Sequence, residues 1–188
     1  MIPGFILDVW LERNDMDDAD FSALKVVDSV GTYVSPERLK QYRSFFKKHG
    51  YKGAPLVNTY GMSEAGVWIV PLEKNLGPDC IGFPKPVENF MIRDEKNGKF
   101  YTTKQGERTG VLHVTAPGMA CNKLDGKKLF DYVVINGRNF ICTNDLVRVN
   151  KDGSLSYAGR ADKYFTNNEG VRFDSGLVET RFNALPGI

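Results

Sequence analysis

Four short clusters hold the residues that could do chemistry, and they follow one another in order along the 188-residue chain. The first is Val30-Gly31-Thr32-Tyr33-Val34-Ser35-Pro36, a strand end that runs through glycine into a helix start. Glycine there lets the backbone approach a flat ligand, although the same residues also make an ordinary strand–helix loop. The second is Asn58-Thr59-Tyr60-Gly61-Met62-Ser63-Glu64-Ala65, which places an aromatic ring, a glycine, a hydroxyl and a carboxylate at the end of a predicted strand. Such a loop can stack a base on Tyr60, offer Ser63 to a phosphate and offer Glu64 to magnesium, which wants hard oxygen ligands. The plainer alternative is a turn before a helix capped by Ser63. The third is Cys142-Thr143-Asn144-Asp145-Leu146, with Asp145 expected between two hairpins. A fixed carboxylate accepts both hydrogen bonds of a ribose diol, as the acidic residue of dinucleotide folds does; otherwise this is a turn-forming Asn-Asp pair. The fourth is Gly159-Arg160-Ala161-Asp162-Lys163, followed by Gly170-Val171-Arg172 and Val178-Glu179. Arg160 can pair with phosphate or ribose oxygens, or stand in a surface salt-bridge cluster.

Elements that must position these clusters alternate at first between helix and strand. Pro3 to Trp10 is apolar and reads as the close of a helix or loop, and Leu24-Lys25-Val26-Val27 reads as a short strand. Ser35-Pro36-Glu37 predicts a helix start: Ser35 caps, Pro36 suits the first position, and Glu37 faces the positive helix end. Leu39, Tyr42, Phe45 and Phe46 recur at helical spacing, and His49-Gly50 ends the helix. Leu56 to Tyr60 is the next strand. From about Cys80 the texture changes to short strands and tight turns. Phe90–Arg93 turns through Asp94–Gly98 into Phe100-Tyr101, and Val111 to Val114 alternates. Tyr132–Ile135 turns at Asn136-Gly137 into Phe140–Cys142, a hairpin signal because Asn-Gly accepts positive φ. Leu146–Val149 turns at Lys151-Asp152-Gly153 into Leu155–Tyr157. The fold class expected is α/β at the start, then a β-rich part forming a small distorted barrel.

Composition excludes several functions. The chain is 41% hydrophobic and 26% charged, as ordinary soluble domains are. No apolar run approaches the roughly 18–20 residues of a membrane span. No basic stretch precedes an apolar one at the start, so a cytoplasmic location is expected. With 25 basic and 23 acidic residues well mixed, a dedicated nucleic-acid binder is disfavoured. Cys80, Cys121 and Cys142 are far apart, as are His49 and His113, so no zinc spacing exists and reduced thiols without chemistry are expected.

Taken together, the clusters resemble the adenylate-forming superfamily of acyl-CoA synthetases, peptide-synthetase adenylation domains and luciferases, over essentially the whole chain. Tyr60-Gly61-Met62-Ser63-Glu64 resembles that family's Tyr-Gly-x-Thr-Glu motif, with serine for threonine. Gly82-Phe83-Pro84 resembles its Gly-x-Pro turn. Gly106-Glu107 through Gly110-Val111-Leu112-His113-Val114 to Pro117-Gly118-Met119 resembles its Gly-Glu-x-Gly-x-Leu-x-Val region. Cys142-Thr143-Asn144-Asp145-Leu146 resembles Thr-Gly-Asp-Leu, and Gly159-Arg160-Ala161-Asp162 resembles the hinge motif between the large and small domains. Two departures stand out: Asn144 replaces the usual glycine, and Asn167-Asn168-Glu169 replaces a basic loop, with the Asp162–Gly170 spacing longer by one.

The resemblance implies a role for each position. Gly31, Thr32 and Tyr33 would line the adenine and acyl pockets, and Tyr60 would stack on adenine within the nucleotide loop that includes Gly61 and Met62. Ser63 would contact the α-phosphate and Glu64 would bind Mg²⁺. Asp145 would hold the ribose hydroxyls, and Arg160 would contact ribose or phosphate. Asp162 would be the pivot of the small domain, and Gly170 would sit on its active-site loop. The implied reaction is ATP plus a carboxylate to acyl-AMP plus pyrophosphate, then transfer to coenzyme A or a carrier-protein thiol. The implied layout is residues 1–80 as the α/β portion of the large domain, 81–158 as a β-barrel-like subdomain, 159–163 as the hinge and 164–188 as the start of the small domain.

That family grips the β- and γ-phosphates with a Ser/Thr/Gly-rich loop ending in lysine, and neutralises the α-phosphate with a lysine late in the small domain. These residues contain neither, and the chain ends at Pro186-Gly187-Ile188 just as a helix opens in the amphipathic stretch Val178-Glu179-Thr180-Arg181-Phe182, so both ends are expected to be cuts in a longer chain. Exposed leading strands would then favour association, for instance as a homodimer. A non-catalytic AMP- or acyl-binding relative, and an unrelated β-rich interaction module, are the alternatives.

Overall fold

The computed structural model describes residues 1–13, 15–31, 34–54, 56–63, 65–69, 80–117, 119, 132–166 and 172–174. The chain divides into two compact units, residues 1–83 and 84–188.

In the first unit, strand β1 (Ile2–Pro3) passes directly into helix α1 (Gly4–Glu12), and Pro3 supplies the extended backbone at the junction. Strand β2 (Asp28–Val30) follows a long irregular stretch. Leu24–Val27, expected as a strand, lies in that stretch. The carbonyl of Lys25 accepts the Ala54 N–H at 3.0 Å and the Tyr51 hydroxyl at 3.3 Å, so a loop occupies the position a strand partner would need. Helix α2 (Pro36–Lys48) starts where Ser35 and Pro36 predict: the Ser35 hydroxyl accepts the Arg38 N–H at 3.2 Å, and Gly50 at φ +84° follows the end. Strand β3 (Val57–Met62) lies parallel to β2, and β4 (Val67–Ile69) lies antiparallel to β3, giving the order β1-β2-β3-β4. Strand β5 (Cys80–Gly82) is buried throughout.

The core of this unit is where the helical period of α2 meets α1. Tyr42 and Phe46 are buried with Leu7, Val27, Val34 and Leu56, and Phe21 packs on Phe46 with ring centroids 4.9 Å apart. Leaving one large aromatic out of such a core costs roughly 3–5 kcal/mol, so these contacts hold the helices together. The Tyr42 hydroxyl sits at the seam and donates to Asp8 Oδ1 at 2.6 Å.

In the second unit, β6 (Phe90–Arg93), β7 (Phe100–Tyr101), β8 (Arg108–Val114), β9 (Tyr132–Ile135), β10 (Arg138–Val149) and β11 (Leu155–Arg160) form an antiparallel sheet. The order is β11-β10-β8-β6-β7, with β9 on β10. Asn136 at φ +50° and Gly137 at φ +76° make the predicted tight turn between β9 and β10. Strand β10 is a single run of 12 residues rather than the separate strands expected at Phe140–Cys142 and Leu146–Val149. Beyond β11, a turn at Ala161–Lys163 leads to β12 (Tyr164–Thr166), paired antiparallel with β13 (Arg172–Asp174). The architecture is thus α/β with a large antiparallel part. No helix among the described residues is long and apolar enough to cross a membrane.

Candidate functional site

The first unit brings two of the clusters to one strand edge. Strands β2 and β3 run in register, Ser29 opposite Asn58 and Val30 opposite Thr59, so Gly31 and Tyr60 each come next along the pair. Gly31 is exposed with φ +87°, and a Cβ built there meets nothing within 4 Å. Backbone conformation, not space, therefore asks for glycine. Thr32 and Tyr33 lie outside the described residues. Tyr60, Gly61 and Met62 are partly buried and continue β3 against Ile69, Trp68 and Val67 of β4. Ser63 is exposed at the turn, where the Ala65 N–H donates to the Met62 carbonyl and the Gly66 N–H to that of Ser63, both at 3.2 Å. The turn leads into β4 and not into a helix, so Ser63 is not a helix cap. Glu64 lies outside the described residues.

Ligands of open parallel sheets sit beyond the carboxyl ends of the strands, and these loops leave that end of the β2–β3 pair. Two hydroxyls nearby, Ser29 Oγ and Thr59 Oγ1, are buried without a hydrogen-bond partner. A buried hydroxyl left unpaired costs about 1–3 kcal/mol, and the in-register pairing turns these two to opposite faces of the sheet.

The second unit aligns the other two clusters through a pair of bulges. Between β10 and β8 the register passes from Cys142 opposite His113 to Leu146 opposite Val111, so Thr143, Asn144 and Asp145 stand against Leu112 alone. Asn144 takes φ +59°, the left-handed conformation that asparagine enters more readily than most residues. Thr143 Oγ1 donates to the Leu112 carbonyl at 2.9 Å and accepts the Asp145 N–H at 3.1 Å. The Cys142 thiol donates to Asn144 Oδ1 at 3.2 Å. Between β10 and β11 the register slips again after Leu146–Gly159, with Gly159 at φ +114°.

These bulges place Asp145 directly opposite Arg160. Asp145 lies between the two hairpin turns, as expected, inside the single strand β10 that a bulge re-aims. Bulges recur beside active sites because they redirect a side chain without breaking the sheet. Arg160 Nη1 donates to Asp145 Oδ1 at 3.1 Å and to the Thr143 carbonyl at 3.4 Å. On its other side, Nε and Nη2 donate to the two carboxylate oxygens of Asp162 at 2.8 and 2.5 Å. The Asp162 hydrogen bonds raise the Arg160 pKa most, burial opposes them, and the charges of Asp145 and Asp162 raise it further, so the guanidinium stays charged. The Asp145 side chain keeps only 15% of its surface exposed. Gly170 lies outside the described residues.

Thr143 is the residue that reading the sequence for chemistry passed over. Its signal is a hydroxyl two residues before the aspartate, the pattern of a local side-chain-to-backbone bond. His113, buried with its Nδ1 3.1 Å from the Val111 carbonyl, serves the sheet. Cys80 and Cys142 are free thiols, and Cys121 lies outside the described residues. Among the described residues no group of three His, Cys, Asp or Glu could hold a metal.

Comparison with known proteins follows the same lines. The family model described as "AMP-binding enzyme" matches residues 3–121. Acetyl-coenzyme A synthetase of Helicobacter acinonychis is 27% identical over 178 residues, covering 89% of this chain and 26% of that protein. Ferrichrome siderophore peptide synthetase of Mycosarcoma maydis is 27% identical over 131 residues, covering 69% of this chain and 3% of that protein. The chain therefore spans about a quarter or less of these relatives. In fold it is similar to the anthranilate CoA ligase AuaEII in complex with anthranoyl-AMP, with a TM-score of 0.68, 17% identity, and coverage of 100% of this chain and 34% of that one. It is also similar to the Vibrio cholerae adenylation domain AlmE in complex with glycyl-adenosine-5'-phosphate, with a TM-score of 0.64, 17% identity, and coverage of 94% and 34%.

Proposed function

Because the chain belongs to the AMP-binding enzyme family, we propose that it forms part of an AMP-forming acyl-adenylating ligase. A carboxylate oxygen of the substrate acid attacks the α-phosphorus of ATP, the bond to the β-phosphate oxygen breaks, and pyrophosphate leaves. A thiol, of coenzyme A or a carrier protein, then attacks the acyl carbon and AMP departs. The names of the relatives, acetyl-coenzyme A synthetases and peptide synthetases, support both kinds of thiol.

The observation that carries the reading is the parallel register of β2 and β3, which delivers the Gly31 loop and the Tyr60–Ser63 segment to the same carboxyl edge. Tyr60 stacks on adenine beside Gly61 and Met62. Gly31, Thr32 and Tyr33 line the adenine and acyl pockets, and the Ser63 hydroxyl faces the α-phosphate. In the second unit Asp145 accepts the ribose hydroxyls, with Arg160 directed to ribose or phosphate. Asp162 is the pivot of the small domain, and Gly170 lies on the loop it carries. Mg²⁺ is commonly held by one or two carboxylates plus substrate phosphates, and the donor set of Glu64 beside Ser63 suits that mode. When bound, the ion neutralises phosphate charge.

No Ser/Thr/Gly-rich run ending in lysine occurs among these residues to grip the β- and γ-phosphates, so by themselves they are expected to form no acyl-adenylate. The test is carboxylate-dependent ATP–pyrophosphate exchange by the full-length protein that carries them, across fatty, aryl and amino acids, with Asp145→Ala as control. Exchange with one acid class, lost in the control, supports the ligase and names its acid. AMP binding without exchange for any class replaces it with a non-catalytic AMP- or acyl-binding protein.

A further inference from the structure

We propose that the Thr143 hydroxyl is the group that positions the Asp145 carboxylate for a ribose diol; this rests on the ribose role given to Asp145 above. In an unbroken ladder the Leu112 carbonyl would accept a backbone N–H of β10. The bulge leaves Leu112 facing Thr143, Asn144 and Asp145 together, and the Thr143 hydroxyl donates to that carbonyl at 2.9 Å. The same oxygen accepts the N–H of Asp145 at 3.1 Å. One hydroxyl, itself buried with 5% exposure, thus fastens the bulge to β8 and fixes the residue that bears the carboxylate.

The staple matters because of what it spans. Asn144 lies between its two ends in the left-handed conformation, which a side-chain-bearing residue adopts at a cost. Without the hydroxyl, Leu112 O and Asp145 N both lose their partner while the strained residue between them is free to relax to an extended backbone. Such a change turns Asp145 by one side-chain direction, away from its partner Arg160, since side chains alternate along a strand. Thr143 need not touch the nucleotide for this. Serine retains the oxygen and can make both bonds. Valine keeps the shape and can make neither.

The readout is discrimination between ATP and 2′,3′-dideoxy-ATP, measured as the ratio of dissociation constants on the full-length protein. In the parent protein ATP is expected to be preferred by about tenfold or more, the size of a hydrogen bond to a charged acceptor. Thr143→Val is expected to bring that ratio to within about threefold of unity with little change for the dideoxy nucleotide, and Thr143→Ser to restore it. Asp145→Asn reports separately on the underlying assignment. If Asp145→Asn keeps the full preference, the ribose role itself is overturned. If Asp145→Asn abolishes the preference but Thr143→Val does not, the positioning role is overturned and the ribose role stands. If Thr143→Val weakens both nucleotides equally, the hydroxyl serves only folding, and the proposal fails.

Discussion

Asp145 and Arg160 face each other across two bulges, one on each neighbouring strand, and are joined at 3.1 Å. Arg160 also grips Asp162 with its Nε and Nη2, so one guanidinium holds the carboxylate assigned to ribose and the carboxylate assigned to the hinge. The planar fork of arginine suits this two-sided contact, and a lysine ammonium cannot reproduce it.

Arg160→Lys should therefore behave unlike a conservative change. Arg160 and Asp162 are about a third or more exposed, so the loss of folding stability should be small, about 0.5–1 kcal/mol after solvent screening. The effect on ATP should be larger, with KM raised roughly tenfold because Asp145 loses its fixed partner. Urea unfolding beside exchange kinetics checks both; a KM unchanged within twofold would remove Arg160 from the nucleotide site.

Asn144 departs from the glycine of the related motif, yet at φ +59° it supplies the backbone conformation that glycine would. Asn144→Gly should leave stability within about 0.5 kcal/mol and retain nucleotide binding. Asn144→Val, β-branched at a left-handed position, should destabilise by about 1–3 kcal/mol. Thermal denaturation of the variants decides, and equal melting temperatures would show that the bulge does not depend on this conformation.

The seam between α1 and α2 should weaken in alkali. Burial, and then the hydrogen bond to Asp8, push the Tyr42 hydroxyl up to about 12 from its ordinary value near 10.0. The protonated hydroxyl is the form the fold favours, so its contribution is complete below pH 10 and lost as pH rises towards 12. Denaturant midpoints between pH 8 and 11.5 should fall more steeply for the parent chain than for Tyr42→Phe. Parallel curves would mean that the Tyr42 proton is not linked to folding.

Some of this molecule could be read directly because the deciding interactions are short-range. Ser35 and Pro36 start α2 since a cap needs only a hydroxyl and an N–H three residues on, and that bond is present at 3.2 Å. Asn136-Gly137 makes its hairpin because both residues accept positive φ. Other readings failed where distant partners decide. Leu24–Val27 has strand-forming residues, but the loop at Tyr51–Ala54 takes the Lys25 carbonyl. Ser63 suits a helix cap by its residue type, but the pairing of Gly61 with Trp68 makes strand β4 follow the turn.

The sequence by itself determined the order and type of the chemical groups: Gly31 before the aromatic and hydroxyl at Tyr60 and Ser63, then a carboxylate at Asp145 and a guanidinium at Arg160. It also determined the local starts and turns that put them at element ends. Only the tertiary structure decided that Asp145 meets Arg160, 15 residues away, and that Thr143 bonds Leu112, 31 residues away. Register and bulge position are properties of two strands jointly. A slip of one residue turns every following side chain to the opposite face, and no local propensity distinguishes the two registers.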